Sequence, residues 1–197
     1  MTRSPSLASK FTSPSNCISH LEAFNTRPAT SADAPGIARV HVDSWRTTYK
    51  GIVADDTLAG LSYERRQQYW HGILENPDPG VCMFVVEGAE GIVGFAAAGP
   101  ERGGDVTRRG EVYAIYLLEK AQGLGMGKAL MRAACAHLLA QDSTSMLLCV
   151  LKDNLPARKF YEALGGKYLR EKTIEIGTQS MVEVAYGWDD LKTLAKE

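Results

Sequence analysis

Seven residues past the middle of the chain, Gln122-Gly123-Leu124-Gly125-Met126-Gly127-Lys128, have the make-up of an anion cradle. Glycines at alternate positions let several backbone N–H groups point into one concavity, and an apolar helical pattern follows, so the positive end of a helix dipole adds to them. A pyrophosphate is the ligand such a turn suits. Two familiar cradles are excluded by residue identity. A P-loop needs glycine where Gln122 stands and a hydroxyl where Ala129 stands, and the dinucleotide fingerprint needs glycine where Lys128 stands. A tight turn with no ligand is the competing reading.

Other chemistries lack their reacting groups. Cys17, Cys82, Cys135 and Cys149 form no C-x-x-C pair, and His20, His41, His71 and His137 form no H-E-x-x-H pair. No G-x-S-x-G elbow is present, so neither a metal hydrolase nor a serine hydrolase is indicated, and no metal is expected.

The elements that must position the turn follow from periodicity. Ala23 to Arg27 reads as a short strand. Thr30-Ser31-Ala32-Asp33 before Pro35 starts a helix running to about Tyr49, and a second helix follows Ser62 and stops before Asn76-Pro77-Asp78-Pro79-Gly80. Val81 to Glu87 and Ile92 to Ala98 make a hairpin around Gly88-Ala89-Glu90-Gly91, and a third strand spans Gly110 to Leu118. After the glycine turn come a helix (Met126 to Ala140), a strand (Ser145 to Leu151), a helix (Leu155 to Leu164) and two strands, Lys167 to Ile176 and Gln179 to Tyr186. The fold class is α/β, a mixed sheet covered by helices.

With the glycine turn in that setting, Gln122 to Gly127 fits [RQ]-x-x-G-x-[GA] and resembles the GNAT superfamily of acyl-CoA N-acyltransferases. Glu111 to Leu118 is similar to that family's central strand, and Asn154 to Gly166 to its second motif of Asn, Ala, aromatic-Tyr and paired small residues. Glu119 and Ala121 depart from the residues common there. The likeness covers roughly residues 23 to 187. It implies a mostly antiparallel sheet that splays between the strands at Glu111 to Leu118 and Ser145 to Leu151. Backbone groups near Leu117 and Leu118 would then pair with pantetheine amides like an added strand, while the N–H groups of Gly123, Leu124, Gly125, Met126, Gly127 and Lys128 hold the pyrophosphate.

The implied reaction moves an acetyl group from acetyl-CoA to a primary amine. An alkyl ammonium has a pKa near ~10.4, so a base must remove its proton. Strand alternation puts Glu111, Tyr113, Ile115 and Leu117 on one face, and Glu111, six residues before Leu117, matches the catalytic glutamate of the histone-acetylating branch. The plainer reading of Glu111 is a solvated acid at a strand end. Tyr161 holds the family's tyrosine position in Asn154-x-x-Ala157-x-x-Phe160-Tyr161, where the phenol protonates the leaving thiolate; otherwise it is a core aromatic. Asn154 suits both the coenzyme and a helix N-cap. A backbone N–H near Leu117 would meet the oxyanion.

The acceptor pocket is less legible. His41, Trp45 and Tyr49 recur at helical spacing, and Trp45 to Ile52 resembles a segment of one group of bacterial GNAT proteins. Trp45, Tyr49 and Tyr113 are the candidate acceptor contacts, against the reading that the stripe is core. Asp55 and Asp56 would attract a cation or simply face solvent.

Composition sets the bounds. The 197 residues are 45% hydrophobic, with 22 Lys and Arg against 23 Asp and Glu, which suits one domain over residues 23 to 197 and gives nucleic acid no global field to follow. Residues 1 to 22, rich in Ser with no acid before Glu22, read as a mobile tail; a transit peptide is the minor alternative. Scattered cysteines suggest a reducing cytoplasm, and no stretch approaches a membrane span. Self-association into a homodimer stays open. A small-molecule amine is the expected acceptor. A protein N-terminus or lysine is the nearest alternative, and a non-catalytic acyl-CoA-binding module the alternative of a different class.

Overall fold

The computed structural model describes residues 24–196. The expected tail at residues 1 to 22, with Cys17 and His20, lies outside the described residues. Seven strands form one sheet: β1 (Asn25–Pro28), β2 (Cys82–Gly88), β3 (Gly91–Pro100), β4 (Gly110–Leu117), β5 (Met146–Leu151), β6 (Lys167–Ile176) and β7 (Gln179–Trp188), in the order β1-β2-β3-β4-β5-β7-β6. Every pairing is antiparallel except β4 with β5. The helices are α1 (Ala34–Thr48), α2 (Asp55–Ala59), α3 (Tyr63–Glu75), α4 (Met126–Ala140), α5 (Leu155–Ala163) and α6 (Leu191–Lys196). The mixed, mostly antiparallel sheet is the one expected, and α4 and β6 have the expected bounds.

Local chemistry explains where helices begin. Ser62 Oγ accepts from Arg65 N–H at 3.2 Å to start α3, and Asn154 Oδ1 accepts from Ala157 N–H at 3.2 Å to start α5. Before α1, the Asp33 carboxylate accepts from the Thr30 N–H at 2.7 Å and from both ends of the Arg27 guanidinium at 2.7 and 2.8 Å. Arg27 also reaches Glu87 at 2.7 Å, so one cation ties β1, β2 and the start of α1 together.

Arg27 foremost holds the Asp33 carboxyl at about 2, below its ordinary 3.8. A depressed carboxyl stabilises the fold above its unfolded value, and that contribution fades as pH falls through the folded one. We expect Asp33→Asn to cost about 2 kcal/mol at neutral pH. In denaturant unfolding, the gap from wild type should shrink between about pH 4 and pH 2. A gap constant over that range would contradict this account of the Arg27 clamp.

The sheet is covered on two faces. Phe95, fully buried on β3, meets rings of α1 and α3, His41 and Trp70, at 6.1 and 5.1 Å. On the other face Val112, Met146, Leu148 and Val150 cluster with Met131, Ala134 and Leu138 of α4 and with Tyr161 of α5.

One irregularity changes which side chains share a face. Ala97 pairs with Ala114 but Ala98 pairs with Val112, so Tyr113 is an extra residue in β4, a β-bulge. The expected alternation Glu111, Tyr113, Ile115, Leu117 is therefore broken. Val112 and Ile115 both pack in the α4-side cluster, and Glu111 falls on the opposite face.

Two short helices were not anticipated. In α2 Leu58 alone is buried, and five residues give no helical period to read; α6 buries Leu191 and Leu194.

Candidate active site

The parallel pairing of β4 and β5 is short: Gly110 with Met146, Glu111 with Leu147 and Val112 with Leu148. Beyond it the strands part, and Tyr113 to Leu117 on one side and Cys149 and Val150 on the other wall a cleft of about 750 Å³. This is the splay the resemblance implied.

The glycine turn closes one end. Gly123 and Gly125 have φ of 75° and 82°, the left-handed region that favours glycine. Gly125 caps α4 with no side-chain acceptor, and the Ala129 N–H donates to Gly125 O at 3.0 Å. Helix geometry therefore leaves the Met126 and Gly127 N–H groups without intrahelical acceptors at the positive end of a fifteen-residue helix. A Cβ on Gly127 would sit 3.2 Å from Phe160 Cζ and 3.6 Å from Leu117 Cδ1, so a glycine there lets α4, α5 and β4 meet at the mouth. Gln122, Gly123, Gly125, Gly127 and Lys128 line the cleft. Leu124 points to solvent and Met126 into the core. The turn suits a diphosphate, and Tyr113 to Leu117 line the cleft that runs from it.

The expectation for Leu118 needs correction. Its N–H donates to Val93 O at 2.9 Å and its side chain is buried, so the strand edge facing the cleft ends at Leu117, whose carbonyl lies 3.4 Å from Gln122 Nε2.

At the inner end Tyr161, Tyr49 and Asn154 meet. Tyr161 is 6% exposed and lines the cleft, wedged among Phe160, Tyr186 and Trp188 with ring centroids 5.4, 6.2 and 6.4 Å away. Among the described residues its hydroxyl has no hydrogen-bond partner. Burial foremost, then the Tyr49 and Tyr116 phenols, raises Tyr161 above the ordinary tyrosine value, so it keeps its proton at neutral pH. Burial likewise raises Tyr49, with the Asn154 side chain acting against it. Cys149, also on the wall, is pushed up by burial and is a thiol rather than a thiolate near neutrality.

Of the other candidates, Tyr113 lies on the cleft wall and the rest lie off it. Glu111 is outside the cleft wall; Arg102 donates to its two oxygens from Nη2, Nε and the backbone N–H at 2.8, 3.1 and 3.1 Å. That guanidinium lies 3.7 Å from the Tyr113 ring centroid, and the Tyr113 hydroxyl donates to Pro100 O at 2.6 Å. Burial pushes Tyr113 up to about 12. Trp45 packs edge-on against Tyr49 at 4.8 Å and takes no part in the cleft wall, so of the His41, Trp45, Tyr49 stripe only Tyr49 reaches it. His41 stacks on Tyr116 at 5.0 Å and accepts from Trp70 Nε1 at 3.1 Å. Burial drives it down to about 3, which makes it a neutral core histidine. Asp55 and Asp56 are exposed at the start of α2. Among the described residues no group of three His, Cys, Asp or Glu side chains could hold a metal ion, and no helix is long and apolar enough to cross a membrane. Sequence reasoning passed over Cys149 and Tyr116, whose places become visible only once β4 and β5 are seen to part.

A splayed parallel strand pair with a glycine turn at a helix N-terminus is the arrangement that the resemblance to acyl-CoA-dependent transferases implied. Residues 42–166 match the model of the acetyltransferase (GNAT) family, and the chain belongs to that family of N-acetyltransferases. It is 40% identical over 169 residues to the uncharacterized N-acetyltransferase YuaI of Bacillus subtilis, covering 85% of this chain and 94% of that one. It is 31% identical to a mycothiol acetyltransferase of Gordonia bronchialis, covering 84% of this chain but 54% of the other. The fold matches the PaiA N-acetyltransferase of Thermoplasma acidophilum, solved with coenzyme A, at a TM-score of 0.66 and 17% identity, over 82% of this chain and 98% of that one.

Proposed function

We propose that the protein transfers the acetyl group of acetyl-CoA to a primary amine of a small molecule by direct attack on the thioester, with Tyr161 as general acid. The observation that carries this reading is the single cleft that joins the glycine turn to the unpartnered Tyr161 hydroxyl. The turn binds the diphosphate end of the cosubstrate, and the parted strands guide its acyl end toward Tyr161, Tyr49 and Asn154. Asn154 caps α5 and so fixes the helix that carries Tyr161. Tyr161 retains its proton until negative charge gathers on the departing sulfur, when a short donor in a dry site is worth most.

Direct attack is favoured over a covalent relay because, among the described residues, Cys149 is the one thiol on the wall and no histidine lines the cleft to activate it. The chain's likeness to relatives named for mycothiol supports a small acceptor over a protein N-terminus or lysine. A coenzyme-release assay across polyamines, amino acids, aminoglycosides and N-terminal peptides tests the reading. Amine-dependent release from a small acceptor supports it. Coenzyme binding with no turnover on any of them would mark a non-catalytic module.

A further inference from the structure

On the sheet face away from α4 lies a second cavity, of about 410 Å³, walled in part by Glu111, Leu147, Cys149, Arg170, Lys172 and Glu183. Cys149 lines this cavity and the cleft alike, so the two spaces adjoin at β5 where it parts from β4. There an acceptor entering through this cavity would meet an acyl group coming from the glycine turn.

The charged groups around the cavity are not equally committed. Glu111 is clamped by Arg102, and Glu101 accepts from the N–H groups of Gly103, Gly104 and Asp105 at 2.6, 2.8 and 2.9 Å. Arg170 donates to Asp105 at 2.8 Å. Glu183 is different. Its nearest cation, Lys172 Nζ, is 3.7 Å away, beyond hydrogen-bond distance, and among the described residues its carboxylate accepts no hydrogen bond. Register places it well: on β7 Ala185 faces Cys149 and Glu183 faces Leu151, so Glu183 shares the Cys149 face, one pleat nearer the opened end of β5. Its charge acts on the Cys149 thiol and on the Tyr49 and Tyr116 phenols, which sets it beside the throat of the cleft.

We propose that this cavity admits the acceptor and that the Glu183 carboxylate binds its ammonium and takes its proton. The assignment rests on the acetyl-transfer reading above. One proton passes from the ammonium to a Glu183 oxygen and on to solvent, and the nitrogen lone pair forms the C–N bond at the acetyl carbon. The C–S bond breaks with its electron pair on sulfur, which Tyr161 protonates; the second proton, shed by nitrogen as the amide forms, restores the phenol.

The test uses the full-length protein with an amine that the wild type acetylates. Glu183→Gln should lower kcat/KM for the amine about 10²-fold near neutrality, with the defect easing as rising pH deprotonates the amine in solution. Acetyl-CoA affinity by calorimetry should hold. The pH profile is read knowing that Glu101 and Arg102 from the loop before β4, Glu111 from β4, Cys149 from β5 and Arg170 and Lys172 from β6 line the cavity with Glu183, while Tyr49 from the end of α1 and Tyr116 from β4 line the adjoining cleft. A second variant guards against misfolding. Lys172 has a side chain 63% exposed, and Lys172→Met removes the cation that lies nearest Glu183 among the described residues, so the amine KM should fall about threefold or more. A kcat/KM in folded Glu183→Gln within about twofold of wild type, a defect independent of pH, or an unmoved KM in Lys172→Met overturns the assignment while leaving acetyl transfer standing. No turnover of any amine by the wild type would overturn the reading and the assignment together.

Discussion

Tyr161→Phe should lower kcat by about 10²-fold or more while leaving acetyl-CoA affinity within about twofold of wild type. The ring is held by Phe160, Tyr186 and Trp188, and none of those contacts involves the hydroxyl. Because that hydroxyl pairs with no described residue, its removal orphans no partner, and stability should barely change. What is lost is a donor on a side chain that lines the cleft. Burial also raises the phenol, so it stays protonated through neutral and mildly alkaline pH. Wild-type kcat should therefore show no alkaline fall from this group below the ordinary tyrosine range of about 10. Steady-state kinetics with calorimetry on the same preparation checks both statements, and full kcat in a folded, coenzyme-binding Tyr161→Phe would remove the residue from the mechanism.

Gly125→Asp should weaken acetyl-CoA binding by about 10²-fold, the second large effect, through two causes that act together. At φ of 82° the backbone there suits glycine, and a side chain costs roughly 1 kcal/mol of local strain. The larger cause is the new carboxylate at the N-terminus of α4, in the space and with the charge of the diphosphate it excludes. Leu124→Asp is the control: it adds the same charge one residue away, on a side chain that is exposed and outside the cleft wall. Calorimetry should show the control within a few-fold of wild type. Equal losses in both variants would mean that general repulsion, rather than the cradle, governs binding.

Much of this site could be read from residue order alone because the chemistry sits on consecutive residues. The glycine turn, the helix start at Met126 and the Asn154 to Tyr161 stretch each carry their spacing in the chain, and the structure brings Gln122, Gly127, Asn154 and Tyr161 to one cleft. The face on which Glu111 lies was not legible. Alternation assumes an unbroken strand, and the extra residue Tyr113 moves Glu111 to the side of Arg102; no pattern within β4 announces a bulge, which is set by pairing with β3. The helical stripe of His41, Trp45 and Tyr49 pointed to one side of a helix without saying what that side meets. Glu183 escaped notice for a related reason: it reads as one more polar residue in an alternating strand. Its place beside the throat depends on β7 pairing with β5, thirty-two residues upstream of it at Leu151.

The most direct measurement is mass spectrometry of the protein and the acceptor together, using acetyl-CoA labelled in its acetyl group and an amine that the release assay selects. Direct attack predicts that the label appears on the amine as a single acetyl group, and that the protein, quenched at steady state or incubated with acetyl-CoA alone, gains none. A labelled acetyl group on Cys149 that passes to the amine on its addition would contradict the account.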